Sequence, residues 1–482
     1  MTLAIVIVYL SVCMLFGFYG RFRTKTSEDY SLAGRKMPGW MASLSIAATL
    51  AGSGVTMGVG ELGYSIGISG VLYPTILGLC LVLSMWIAAA RFRKSEKHTI
   101  PEMLEDYYGP SARVIVAIIT MIIFIPPTAA QFLVAGMILS ALTGISQGVA
   151  VTIAAFVIIA YVVIGGMWAI GYTDAFQMLF IYLGLILLAI VSVIQYGGYG
   201  TLLVQLPPGH SSWSAIGPAR FTAYLGVLLM FGFISQAWIQ KSASVETPEK
   251  AKWSGIIAGL LIFPVGFLAV FAGLIARITL PEINPAMAVP KLMLSVFPPA
   301  VGGIFLAAVI AACMSCSDSW IHSSATMFVR DIYQRLINPQ ASDKRVIRYS
   351  MLVSLVYGLI AWILALMAQQ EIIMLVLLFI APGALFIGPL LAAWFSPRKL
   401  KRGAGSAIIL VVAILGILLS LKRPFLWGVH PAFYTTIIAY VLTLLGLLLP
   451  WTSYPYQPGT QNDDSIRPVF ERPEGAGPSI GA

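Results

Sequence analysis

Apolar residues in this chain gather in runs of about 20, the length of helix that crosses roughly 30 Å of hydrocarbon. Thirteen such runs stand out: 2–19, 40–65, 68–90, 114–142, 147–165, 174–195, 222–240, 254–276, 292–326, 349–368, 372–395, 405–421 and 431–450. The ninth is overlong and the fourth contains Pro126-Pro127, so these spans must tilt or break. The pattern predicts an all-α integral membrane protein with about 13 transmembrane helices.

Composition agrees. Of 482 residues, 59% are hydrophobic and only 10% charged, where soluble domains carry roughly 25% charged residues. A net charge of +10 would point to nucleic acid in a soluble protein; here its placement matters more, and no nucleic-acid partner is expected. With the N-terminus outside, 24 of the 29 Lys and Arg residues fall in cytoplasmic segments. The remaining five, Arg220, Arg277, Lys291, Lys422 and Arg423, fall outside. That asymmetry favours an outside N-terminus, a cytoplasmic C-terminus and an odd number of spans. It also assigns Lys241 to a cytoplasmic loop. The first span lacks a basic leader and a cleavage site, so it reads as retained. No segment between spans is long enough to fold alone. Residues 1–450 therefore read as one transmembrane domain, and the Pro/Gly-rich 451–482 as a disordered cytoplasmic tail. An enzyme with a soluble catalytic half is disfavoured, and no cofactor is implied. Cys13, Cys80, Cys313 and Cys316 all fall in spans. Without further thiol or imidazole ligands close by, Cys313-x-x-Cys316 reads as small buried residues rather than a metal or redox centre.

Polar groups inside the apolar runs narrow the picture. A charge at the bilayer centre costs about 2.5–3.5 kcal/mol on insertion scales, so those retained mark sites or pathways. The segment AACMSCSDSWIHSSAT (311–326) places Ser315, Asp318, Ser319 and His322 on one helical face. The second span holds AGSGVTMGVGELG (51–63), with five glycines. Such a stretch either unwinds, freeing carbonyls for a small hard cation, or packs closely through Gly54 and Gly58. The seventh span contains FGFISQAWIQ (231–240), with Gly232, Ser235, Gln236 and Gln240 in an apolar context. Spans two to six and seven to eleven would form inverted repeats, about 40–195 and 222–395, with one extra N-terminal and two extra C-terminal helices. Interrupted spans at matching places are the pattern of a transporter's binding site. Asp174 reads equally as a site carboxylate and as part of a Thr173-Asp174 helix cap. Glu61 reads as a residue reaching the outer interface, His322 as hydrogen-bonded packing.

Four stretches carry a resemblance: HTIPEMLEDYYG (98–109), YVVIGGMWAIGYTDAFQ (161–177), SQAWIQKSASVETPEKAKW (235–253) and MSCSDSWIHSSATMFVRDIY (314–333). In this order they resemble the sodium:solute symporter family, which includes sodium/proline, sodium/pantothenate and sodium/glucose transporters. The resemblance implies a five-plus-five repeat core that moves a solute with sodium by alternating access. It implies a sodium site made of the carbonyls of Ala48 and Ala51 on span two, the carbonyl of Ala312 on span nine, and residues Ser315 and Cys316. Cysteine stands at 316 where the family has Ser or Thr; a thiol is a soft partner for a hard cation. A second cation or proton site would involve Asp174, Asp318 and Ser319. Solute contacts fall on Gly52, Val55, Phe231 and Gln236. Leu50, Val55, Pro74 and Leu77 occupy the positions of sugar contacts in sugar-transporting relatives, so an amino acid or monocarboxylate fits better than a sugar. Glu61 and Asp318 would suit an amine on the solute, and no intramembrane Lys or Arg offers a clamp for a carboxylate. A proton-coupled symporter and a non-transporting sensor on the same fold remain the alternatives.

Overall fold

The computed structural model describes residues 2–367, 382–396, 400–422 and 431–448. Among them the regular structure is helical. In chain order it runs α1 (Thr2–Arg23), α2 (Ser27–Leu32), α3 (Gly39–Leu50), α4 (Val59–Ile66), α5 (Leu72–Lys94) and α6 (Ile100–Tyr108). It continues with α7 (Pro110–Thr143), α8 (Gln147–Gln195), α9 (Tyr199–Val204), α10 (Gly217–Ile234), α11 (Gln236–Ala243) and α12 (Pro248–Thr279). The rest are α13 (Ala288–Val296), α14 (Pro299–Met327), α15 (Asp343–Met367), α16 (Ile387–Phe395), α17 (Arg402–Lys422) and α18 (Pro431–Leu448). Six helical stretches among the described residues are long and apolar enough to cross a membrane. Part of the expected eleventh span and the whole tail from 451 lie outside the described residues.

Exposed Leu179, Leu183, Ile186 and Ile190 on α8, and Leu352, Leu355, Ile360 and Ile363 on α15, give the bundle an apolar outer wall. Lipid can meet such a wall because helical backbone groups satisfy one another internally. The polar side chains turn inward. The stretch containing α14 is the most enclosed, with 82% of its most apolar window buried against 33% for α15. It packs against α1, α3, α7 and α8.

Where helices break decides where the polar core forms. α3 ends at Leu50; a π-helical turn, Gly54–Gly58, then leads into α4. The α10–α11 boundary is a break at Ser235, whose backbone is extended (φ −84°, ψ 110°). Both interruptions therefore fall in the two spans whose glycine and polar content predicts them. The overlong ninth run divides into α13 and α14, with Pro298 and Pro299 at the join, where proline favours a helix start.

Two expectations are corrected. Residues 166–173 are not a loop between spans: α8 comprises two helices that meet directly in a kink at Gly166, whose φ of +59° suits glycine, and the second helix already includes 167–173. Thr173 is accordingly no helix cap. Its hydroxyl donates back to the carbonyls of Ala169 and Ile170, at 3.0 and 3.1 Å, as mid-helix threonines do. Asp174 is free of that role and points into the bundle.

Candidate cation site

The break after α3 and the serine-rich face of α14 meet. Ser315 Oγ donates to the carbonyl of Ala48 at 2.9 Å and to that of Ala312 at 3.1 Å. Cys316 Sγ, one residue on, donates to the carbonyl of Thr49 at 2.6 Å. Ala48, Ala51, Ala312 and Ser315 are fully buried. Ala51 caps the C-terminal end of α3, with its N–H on the Ala47 carbonyl. Carbonyls at a helix end lack partners within the helix, which makes them available to a hydroxyl or a cation. Gly52 explains how the two elements approach so closely. A Cβ there would stand 2.3 Å from Cys316 Sγ and 3.3 Å from the Ala312 carbonyl. The donor set is carbonyl and hydroxyl oxygen with one thiol, which suits a small hard cation at every position but 316. Among the described residues, no group of His, Cys, Asp and Glu gathers that could hold a transition metal.

A second polar cluster lies alongside. Asp174 Oδ2 accepts from Ser45 Oγ at 2.5 Å and from the ammonium of Lys241 at 2.6 Å. The Lys241 ammonium also reaches Thr49 Oγ1 at 2.5 Å and the Ser45 carbonyl at 3.2 Å. Thr49 Oγ1 lies 3.1 Å from Ser319 Oγ, which in turn lies 2.8 Å from Asp318 Oδ1. The other oxygen of Asp318 accepts from Tyr161 OH at 2.7 Å. Ser45, Asp174, Tyr161 and Asp318 are all inaccessible, and Lys241 is 1% exposed. The structure thus joins Asp174, Asp318 and Ser319 into one hydrogen-bonded network, with Ser45, Thr49, Tyr161 and Lys241 as members that the sequence did not single out.

Lys241 is the largest departure. A lysine just after an apolar run reads as a loop charge, yet here it is buried inside the helix bundle. The break at Ser235 starts a new helix, α11, that packs on α3 and α14 and carries the lysine stem inward. A buried base is thus present in the bundle, but its ammonium is committed to Asp174, Thr49 and the Ser45 carbonyl and not held free as a clamp for a solute carboxylate. The signal that could have found it is the run Gln236-Ala-Trp-Ile-Gln240-Lys241, whose glutamines already break the apolar pattern. For Ser45 and Thr49 the signal was their four-residue spacing on α3 beside Ala48.

The expected solute contacts fare differently. Gly52 and Val55 lie at the break, both buried. Phe231 belongs to α10; its side chain lies outside the described residues. Gln236 is buried, but its amide is engaged elsewhere. It accepts from Ile100 N–H at 2.8 Å and donates to the His98 carbonyl and Gln240 Oε1, at 2.9 and 3.3 Å. Both amide protons are taken, so in this arrangement Gln236 staples α11 to the start of α6. Its neighbour Gln240 does the same for α2, donating to the Ser31 carbonyl at 2.7 Å. His322 packs on Tyr30 with ring centroids 5.3 Å apart, the packing role its sequence position suggests.

An ion-pair cluster closes the same end of the bundle. Arg113 contacts Asp331 at 2.7 Å and Glu105 at 2.6 Å, while Arg335 reaches Glu105 at 2.9 Å. Thr99, which caps α6, donates its hydroxyl to Asp331 at 2.8 Å. Residues 98–109 and 314–333, two of the four motif stretches, are thereby held together. Glu105 lies outside the spanning helices. Burial pulls its carboxyl up, but hydrogen bonds and charge from Arg113 and Arg335 outweigh that and hold it below its ordinary value.

Comparison with known proteins agrees with this architecture. The sequence pattern of the sodium:solute symporter family matches residues 30–411. The high-affinity proline transporter PutP of Bacillus subtilis is 26% identical over 461 residues, 88% of this chain and 94% of that one. The sodium/pantothenate symporter of Escherichia coli is 27% identical over 459 residues, 91% and 95% of the two chains. The sodium/glucose cotransporter of Vibrio parahaemolyticus is 26% identical over 378 residues, 71% and 69%. Among solved structures, a substrate-bound, outward-open Na+-coupled sialic acid symporter superposes with a TM-score of 0.79 at 21% identity, covering 92% and 96%. A nucleobase-cation-symport-1 family transporter gives 0.57 at 10% identity, covering 87% and 93%.

Proposed function

The chain belongs to the sodium:solute symporter family, and from that premise we propose that it is a multi-pass membrane protein that imports a small organic solute by sodium-coupled symport. The observation that carries this reading is the contact of Ser315 with the Ala48 and Ala312 carbonyls at a helix break. Sodium would bind there, among the carbonyls of Ala48, Ala51 and Ala312, the Ser315 hydroxyl and residue 316. Because the ligands come from two separate helices, occupancy by a cation would fix their relative position, which is how an ion biases alternating access. The N-terminus would lie outside and the C-terminus in the cytoplasm, as the basic loops favour.

The solute would be an amino acid or a monocarboxylate. Buried Leu50 and Val55 flank the break and favour an apolar part. One sodium entering down about 100 mV contributes roughly 2.3 kcal/mol, and a tenfold gradient adds about 1.4 kcal/mol. Together these sustain about 500-fold accumulation of a neutral solute. Proton coupling is the second reading, motivated by Asp318, whose two oxygens accept from the neutral hydroxyls of Tyr161 and Ser319.

The test is uptake of labelled amino acids and monocarboxylates into liposomes holding the purified chain. Inward sodium gradient, proton gradient and neither are compared. Sodium-driven accumulation of a solute supports the reading; uptake indifferent to both gradients for every solute removes it.

A further inference from the structure

We infer that the Lys241 ammonium is a built-in cation that fills the second cation position beside Asp174, so that the chain couples to one sodium ion only. This rests on the sodium reading above and goes beyond it by assigning the stoichiometry. The ammonium has three protons and meets three oxygens: Asp174 Oδ2 at 2.6 Å, Thr49 Oγ1 at 2.5 Å and the Ser45 carbonyl at 3.2 Å. Carboxylate, hydroxyl and carbonyl oxygens are the donors a hard metal cation takes. A sodium ion could take these three oxygens only by displacing the amine that they hold.

Charge balance points the same way. The enclosed network holds two carboxylates, Asp174 and Asp318, and one ammonium. With both carboxylates ionised, one negative charge is left over. A single sodium at Ser315, one helical turn from Asp318, neutralises it. A second sodium would leave excess positive charge in a low-dielectric interior, where uncompensated charge is costly. The pair also bridges three elements, α3, α8 and α11, so the tethered cation moves with the helices instead of exchanging with solvent.

Equilibrium binding of 22Na+ to the purified full chain in lipid nanodiscs, with choline as the inert cation, tests this. Wild type should bind about one sodium per chain, and Ser315→Ala should weaken it at least about tenfold. Lys241→Met, which keeps the stem and removes the charge, should bind about two. Lys241→Met/Asp174→Asn should return to about one, because the unpaired buried carboxylate is then gone. Two ions in wild type, falling to one in Asp174→Asn, would overturn the inference. So would a Lys241→Met protein with a wild-type melting curve that still binds one ion. If that variant fails to fold, the wild-type count decides, with the double variant, which removes both members of the ion pair and keeps Asp318, as its control. Wild type binding none, with one ion appearing in Lys241→Met, would sink the sodium reading while upholding the lysine's role.

Discussion

Position 316 offers the sharpest test of the sodium site, because the structure says what a single atom should change. Cys316 Sγ lies 2.6 Å from the Thr49 carbonyl, one residue beyond the Ala48 carbonyl that Ser315 contacts. Replacing sulfur by oxygen in Cys316→Ser keeps the geometry, shrinks the side chain and adds no atom to the tight gap against Gly52. It converts a soft ligand into a hard one. A hydrogen bond or dipole contact to a charged group is worth about 1.5–3 kcal/mol. The new hydroxyl can still spend itself on the Thr49 carbonyl, so the lower end applies, and about 1.4 kcal/mol corresponds to a tenfold change. Sodium affinity should therefore rise about tenfold in Cys316→Ser. The assay is 22Na+ binding at constant ionic strength with choline, alongside melting curves that confirm equal folding. Unchanged or weaker affinity in a folded protein would show that residue 316 is no sodium ligand.

Gly52→Ala should lower stability by about 1–3 kcal/mol through overpacking, because the new Cβ meets Cys316 Sγ at 2.3 Å. Adding Cys316→Ala should recover part of that in a thermal melt, and no recovery would place the strain elsewhere. Asp331→Asn should destabilise by about 3 kcal/mol, the low end for breaking a buried pair, since Arg113 keeps Glu105 at 2.6 Å. A melting temperature equal to wild type would refute a structural role for that cluster. Acid should loosen the same end. Glu105 is held below its ordinary value, so its contribution is complete above the usual glutamate range and fades as pH falls through the lower folded value. Glu105→Gln should flatten the acid limb of the stability curve; an identical limb in both proteins would contradict this.

Much of this was legible in the sequence, and the failures share a cause. Glycine density marked the break after Leu50, and Ser235-Gln236 marked the one between α10 and α11, because local backbone preference is written locally. The serine face of α14 followed from helical spacing alone. The convergence of Ala48 with Ser315 came through family resemblance, since residues 267 apart in the chain share no local signal. Lys241 was missed because counting basic residues by loop treats a lysine's position as one-dimensional. Only the return of α11 onto α3 and α14 shows that its amine ends on Asp174. Gln236 presents the opposite case. A buried amide beside a break looks like a ligand until the backbone of His98 and Ile100 is seen to occupy it.

The most direct test of the ion site is a high-resolution map of the protein prepared in sodium, set against one prepared in choline. A sodium-dependent density should appear where the carbonyls of Ala48, Ala51 and Ala312 and the Ser315 hydroxyl face one another. Density confined to another part of the bundle, or helices α3 and α14 drawn apart and empty in both maps, would contradict the account.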